Sequence, residues 1–406
     1  MTPPAQTPGA AGALPGSSGL TDVLALFRGA EALTRADVMA LSGLSRSTVN
    51  QRIDALVQGG LVTPAGERLQ ARGRPAERFA FNRHRGRLLV ADMGATGMRT
   101  GICDLAGDVL AERDVAIDLQ AGPEALLTTV AEEFDRLLAD LDVTHREVMG
   151  IGLDVPGPVD FARGCVVSPP IMNGWDGFDI RGWFGRRFSC PVLVENDVNA
   201  MAWGEQRVAH PETTDLLMLK IGTGVGAGLV SGNRIFRGAD GAAGDIGHLH
   251  AASPRSDGPE PLCRCGRYGC VEAYAGGWAL VRDLQAAGAD VHQVDDVVRL
   301  LARGDLQAVT LARHAARVIG EAIAQAVSLV NPQVIVLTGQ LSAAEEQLLA
   351  GIREVVYQRS LPLATRHLQI LRSRLDERAG LIGLALLLAD TLFAPPAARA
   401  TSAALS

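Results

Sequence analysis

Long hydrophobic runs are missing from this chain of 406 residues. Its most apolar stretch, Gly380 to Ala389, is cut off by Asp390 and then by Pro395-Pro396, short of the roughly 20 residues that a membrane-crossing helix needs. The N-terminus also lacks the charged-then-apolar order of a secretory signal. Both absences point to a cytoplasmic protein with no membrane partner. Cysteine is scarce, six residues in all, and Cys103, Cys165 and Cys190 are scattered singly. That leaves no basis for a disulfide framework, and those three read as small buried hydrophobes. Lysine is almost absent: Lys220 is the only one, and the other basic side chains are arginine. This bias reflects composition as much as function.

What is present is an ordinary globular balance, with 47% hydrophobic and 20% charged residues, and 46 glycines that imply many tight turns or backbone approaches to ligands. The length suits two or three domains. The net charge of −7 conceals an asymmetry. Residues 21–87 carry 11 arginines against 6 acids, whereas residues 88–406 carry 27 basic against 39 acidic side chains. A small basic module on a large acidic body implies that the first touches phosphate and the second does not.

Residues 1–20 are Pro, Gly, Ala and Ser without charge or periodicity, a disordered lead. From Thr21 the pattern turns helical, with Leu24, Leu26 and Phe27 on one face. Thr34 opens a second helix with Asp37 in capping-box position, and Ser42-Gly43 breaks it. Ser45 caps a third helix to about Gln58, its Val49, Ile53, Leu56 and Val57 inward and Arg46, Ser47, Thr48, Asn50 and Arg52 outward. Two short strands, 61–63 and 77–81, flank the loop 68–75, giving the order of a winged helix-turn-helix over residues 21–81. Hydroxyls and arginines at the start of an exposed helix suit phosphate, Asn50 and Arg52 suit base edges, and Arg72 and Arg74 of the wing suit a minor groove. Double-stranded DNA is the expected partner. Residues 82–87 form a short basic linker.

Between Cys263 and Glu272 the chain reads Cys-Arg-Cys-Gly-Arg-Tyr-Gly-Cys-Val-Glu, after a Gly-Asp-Ile-Gly-His that ends at His248. Three close thiols and an imidazole supply the soft ligands that tetrahedral zinc prefers, so His248, Cys263, Cys265 and Cys270 read as a closed structural zinc site.

Beyond residue 88 strands and helices alternate in a βββαβα order met twice with insertions, which fits two lobes around a cleft. Two glycine-bearing turns follow apolar strands. Asp92-Met93-Gly94-Ala95-Thr96 combines an acid, a permissive glycine and a hydroxyl; Gly222-Thr223-Gly224 begins a run whose amides are suited to phosphate oxygens. Each is also compatible with a tight β-turn. At the strand-to-helix junction Glu195-Asn196-Asp197, Asp197 is either a helix cap or the acceptor of a proton from a sugar hydroxyl, with Asn196 positioning neighbouring hydroxyls.

With these stretches in place the chain resembles the ROK family of repressors, open reading frames and sugar kinases over residues 21–390. The resemblance rests on 92–96, 195–200, 222–228, 244–248 and above all the cysteine motif at 263–272. It implies an α/β protein in which a winged helix-turn-helix precedes a two-lobed actin-like, hexokinase-like ATPase fold at 88–393, with a disordered tail at 394–406. It further implies zinc shaping one wall of a sugar pocket, sugar contacts from Asn196, Asp197, Asp245, His248 and Glu272, and Asp197 as catalytic base in members that are kinases. If nucleotide use is retained, ATP and magnesium would meet Asp92, Gly94, Thr96, Gly222, Thr223, Gly224 and Gly339. The winged module implies the repressor branch. Departures weaken the nucleotide side: kinases of the family usually have Glu where this chain has Asp245, commonly have lysine where it has Gly97, and Gln340 adds bulk beside Gly339. The leading expectation is a sugar-responsive regulator, acting as a homodimer or higher oligomer. Two rivals are an active hexose or N-acetylhexosamine kinase that also binds DNA, and a DNA-binding protein whose cleft serves only oligomerisation.

Overall fold

The computed structural model describes residues 18–65, 76–252, 259–341 and 346–394. The expected wing loop with Arg72 and Arg74 lies outside the described residues, as do residues 1–17 and 395–406.

Three helices and a small sheet form the N-terminal module. Helix Ser18–Arg28 starts ahead of the expected boundary at 21, because Leu20 is buried with Val23, Leu24 and Phe27. The capping box at Thr34 and Asp37 forms as expected at the start of helix Arg35–Ser42, and Gly43 ends that helix at φ 68°, a left-handed conformation that glycine adopts without strain. Ser45 caps Arg46–Gln58 through the Thr48 amide, and Val49, Ile53 and Leu56 bury its inner face. Strands Val62–Ala65 and Arg78–Phe81 pair antiparallel, and the two residues Leu33–Thr34 add a third strand on the other edge of Arg78–Phe81.

The remainder is two lobes with one plan. The first sheet runs in the spatial order Val109–Ala116, Gly97–Cys103, Arg87–Met93, Val148–Val155, Val192–Asn196. The second runs Arg234–Ile235, Val225–Ser231, Leu216–Ile221, Val334–Thr338, Gln369–Arg372. In both, three antiparallel strands precede two parallel ones. Parallel pairing requires a crossover, and helices Pro123–Asp140 and Leu306–Val330 supply it between the third and fourth strands of each lobe. Strand Gln369–Arg372 and helices Gly277–Ala286 and Val294–Ala302 were not anticipated from the pattern. The strand has four residues with polar ends, too short for its alternation to declare itself.

Two helices cross where the lobes meet. Asp197–Gly204 leaves the first sheet, and Ala379–Phe393 lies over the same sheet, with Leu381, Leu384 and Leu388 against Gly101, Gly152 and Gly150. Only glycines let them approach so closely: a Cβ on Gly383 would sit 1.8 Å from the Ala200 carbonyl oxygen, and one on Gly204 would sit 2.5 Å from that of Ala379. The far end of Ala379–Phe393 carries the N-terminal module. Phe81 meets Phe393 edge to face at 5.9 Å, and Arg28 bonds Asp390 at 2.8 Å while lying over the Phe393 ring. One apolar cluster joins the two regions without a break. The junction at 82–87 is fastened: Asn82 binds the Leu61 and Gly60 carbonyls, and Arg83 pairs with Asp104 and Asp108.

Candidate functional site

Between the lobes lies a cleft of about 1350 Å³, larger than a single monosaccharide requires. Asp92, Gly94, Thr96, Asn196, Asp197, Gly222, Thr223, Gly224, Asp245, His248, Glu272 and Gly339 all line it, so residues from six separate stretches of sequence converge.

The junction at 195–199 is built from the backbone outward. Asn196, not Asp197, caps the helix: its Oδ1 accepts from the amides of Val198 and Asn199, at 3.0 and 3.2 Å. Its Nδ2 donates to the Gly157 carbonyl and to Asp197 Oδ1, each at 3.1 Å. All four hydrogen-bonding positions of that amide are therefore used within the protein, and its first effect is to aim Asp197. Below it, buried Glu195 accepts from Arg237 Nε at 2.8 Å and Asn199 Nδ2 at 3.0 Å. Asn199 also lines the cleft, and its Oδ1 has no partner among the described residues.

Asp197 Oδ2 accepts from Lys220 Nζ at 2.7 Å. Lys220 was passed over in the sequence because it looked like a matter of composition; being unique and next to the glycine run was the available signal. Asp154, at the end of its strand, was missed as well. It accepts from the Met93 amide at 3.0 Å and is fully buried beside Asp92. Burial pushes both carboxyls above their usual range, and each one's proximity to other carboxylates adds to it. Burial works against the Lys220 ammonium, yet Asp197 and Asp92, and then Asp154, hold its pKa above the usual lysine range.

On the second lobe Glu272 braces the glycine run. Its Oε2 accepts from the Val225 amide at 3.0 Å and its Oε1 from Trp278 Nε1 at 3.1 Å. Gly222 donates to the Gly224 carbonyl, so two amides of the loop are already engaged internally. Gly339 stands at φ +94°, and a Cβ there would meet the Ile221 carbonyl at 2.5 Å. Gln340 sits on the rim with Nε2 turned to Asp295 at 3.2 Å. The first hairpin closes tightly, the Gly94 amide bonding the Gly97 carbonyl at 2.8 Å, with Thr96 exposed at its tip.

The ligand atoms of His248, Cys263, Cys265 and Cys270 all lie within 4.8 Å of one another. Zn–S bonds of about 2.3 Å place two tetrahedral ligand sulfurs about 3.8 Å apart. Cys265 and Cys270 sulfurs are 3.7 Å apart, and Cys263 Sγ is 3.6 Å from His248 Nδ1. The four donors therefore fit a closed metal site. His248 divides its ring between the two expected roles, since Nδ1 faces the thiols and Nε2 points toward Asp245, at 3.9 Å.

The third helix of the N-terminal module presents Arg46 and Ser47 to solvent, with Thr48 half-buried. Asn50 and Arg52 are less free than expected. Asn50 Oδ1 accepts from Arg35 at 3.3 Å, and the Arg52 guanidinium lies against the first helix, 1.9 Å from where a Gly19 Cβ would stand. The helical period places Gln51 on the outward face, one turn from Ser47, and it is exposed. An i, i+4 count from Ser47 would have found it.

The repeated strand order, the cleft between the repeats and the four-donor loop on one wall define a two-lobed body of the sugar-kinase type with a small helical module in front. The sequence pattern of the ROK family matches residues 89–391, and the chain belongs to that family. It is 28% identical over 378 residues to the putative xylose repressor of Caldicellulosiruptor sp. (strain Rt8B.4), covering 89% of this chain and 93% of that one. A ROK family transcriptional regulator described as a homologue of the Escherichia coli MLC protein shares the fold, with TM-score 0.79 at 24% identity over 95% of this chain and 98% of its own. The ROK hexokinase of Thermus thermophilus is 32% identical with TM-score 0.61, covering 97% of its own length but 74% of this chain. The two regulator matches extend over more of this chain than the hexokinase does. Among the described residues no helix is long and apolar enough to cross a membrane.

Proposed function

We propose that this protein is a sugar-responsive transcriptional repressor whose N-terminal module binds an operator and whose cleft binds a monosaccharide effector. One observation supports the reading: helix Ala379–Phe393 crosses the cleft helix Asp197–Gly204 at one end and holds the N-terminal module at the other. A sugar that favours one lobe arrangement thereby changes the seat of the module, with no need for a separate relay. In a two-fold dimer, the change alters the separation of two reading helices against a pair of half-sites. Asp197, Asp245 and the Nε2 of His248 face the sugar. Zinc on His248, Cys263, Cys265 and Cys270 holds the wall from which that histidine projects, and its contribution there is structural. Arg46 and Ser47 anchor phosphate, and Gln51 joins Asn50 as a candidate for a base edge.

The test is anisotropy of operator duplexes, selected from random sequence by the full-length protein, titrated with a panel of monosaccharides. At least one sugar is expected to shift operator affinity tenfold or more, corresponding to about 1.4 kcal/mol of coupling. No shift with any sugar across the panel would sink the reading.

A further inference from the structure

Lys220, the single lysine of the chain, is the last residue but one of the central strand of the second lobe, just before the glycine loop. Its ammonium reaches across the cleft to Asp197, at 2.7 Å, on the first lobe. Asp92 and Asp154 face the same charge from adjacent strands, where they stand paired in register. Lys220 pairs directly with Asp197, while burial pushes the Asp92 and Asp154 carboxyls upward. The other Asp197 oxygen is held by Asn196. With both oxygens already engaged by donors of the protein, the carboxylate is fixed as a hydrogen-bond acceptor rather than left open to take a proton from a substrate.

We propose that Lys220 is a resident counter-ion that converts the cleft from a site of phosphoryl transfer into a site of recognition: it ties the lobes together and holds Asp197 in place as an acceptor for a sugar hydroxyl. Lys220 also supplies the positive charge that a metal-bound nucleotide would bring, so sugar binding is independent of nucleotide. It acts through Asp197, as a positioning residue, and the inference rests on the sugar-responsive reading above.

The experiment is calorimetric titration of full-length protein with the monosaccharide that binds the parent, with and without ATP and magnesium. In the parent the nucleotide should change the sugar Kd by less than about twofold, and Lys220→Met should weaken sugar binding at least about tenfold. Lys220→Arg should recover part of the loss. The double variant Lys220→Met/Asp197→Asn should bind better than Lys220→Met alone, because it leaves no unpaired carboxylate; a purely structural lysine would give no such rescue. Unchanged affinity in Lys220→Met overturns the proposal, as does sugar-dependent ADP release by the parent that Lys220→Met abolishes. If no monosaccharide binds the parent, the functional reading fails on its own. Urea melts of the parent, both single variants and the double then decide the bridge: non-additive losses support it and additive losses overturn it.

Discussion

Asp92 and Lys220 occupy matching places in the two lobes: each stands two residues before a glycine, on the central strand of its sheet, at the mouth of a hairpin that pairs Met93 with Met98 in one case and Ile221 with Val225 in the other. Their neighbours match too, Asp154 opposite Asp92 and Thr338 opposite Lys220. The backbone plan is repeated while the charge is reversed. Acids therefore face a cation across the cleft, and the first lobe meets the second by electrostatics there and by glycine-mediated helix crossing behind it. The second lobe adds the thiol loop, which has no counterpart in the first.

The largest expected effect sharpens that last difference. Cys265→Ser should take metal content from about one zinc per chain to a small fraction of that, since structural zinc sites contribute on the order of 10 kcal/mol in small domains. Hydrogen exchange should then show lost protection around 244–252 and 259–272 with the first-lobe sheet unaffected, and sugar affinity should fall. Metal-free protein that still responds fully to sugar would remove zinc from the pocket wall.

Next is the crossing that joins the lobes. Gly383→Ala forces a Cβ into the Ala200 carbonyl, which the backbone must move to relieve, so a loss of about 3 kcal/mol is expected in urea melts. A control at Gly351, whose added Cβ would meet only the Ala316 side chain at 2.8 Å, should cost less. Equal losses would show the crossing to be looser than its geometry.

The charge reversal has its own pH signature. Asp154 has a raised pKa in the folded protein, so the folded state binds more protons than the unfolded chain above the ordinary Asp value of 3.8. Its contribution is most favourable below that value and is lost as pH rises toward the folded pKa. Asp154→Asn keeps an acceptor for the Met93 amide and removes the proton, so stability measured from about pH 4 to neutrality should lose a slope of at most about 1.4 kcal/mol per pH unit. An unchanged slope would place the extra proton elsewhere.

The smallest effect lies farthest from the cleft. Asp390→Asn breaks a half-exposed pair with Arg28 and should cost at most about 1 kcal/mol of stability. Its value is diagnostic, because operator binding should persist while the sugar-induced shift shrinks. A sugar response of full size would show that the apolar contact through Phe393 suffices.

Much of the fold was legible because its signals are local. The capping box at Thr34, the Ser45 cap, the glycine stops and the strand–helix alternation each depend on a few adjacent residues. The four-donor loop was legible for the same reason, its ligands lying close in sequence. Asn50 and Arg52 were read as outward because polar residues on a helix default to solvent, yet one is engaged by Arg35 and the other rests against Gly19. Asp154 and Lys220 carried no motif of their own, and a lone charged residue at a strand end has no local signature of pairing.

The order of amino acids by itself determined the two repeats, the basic module in front of them and the soft-ligand loop, since hydrophobic period, turn residues and ligand spacing are properties of short segments. Only the tertiary structure decided that Asn196 caps the helix, that Asp197 pairs with Lys220, and that one helix serves both the cleft and the N-terminal module. Those are contacts between residues tens to hundreds of positions apart, or choices between neighbours that depend on what the opposite lobe presents. Charge pairing and close packing act through space, and the chain's order alone does not state which distant groups will share it.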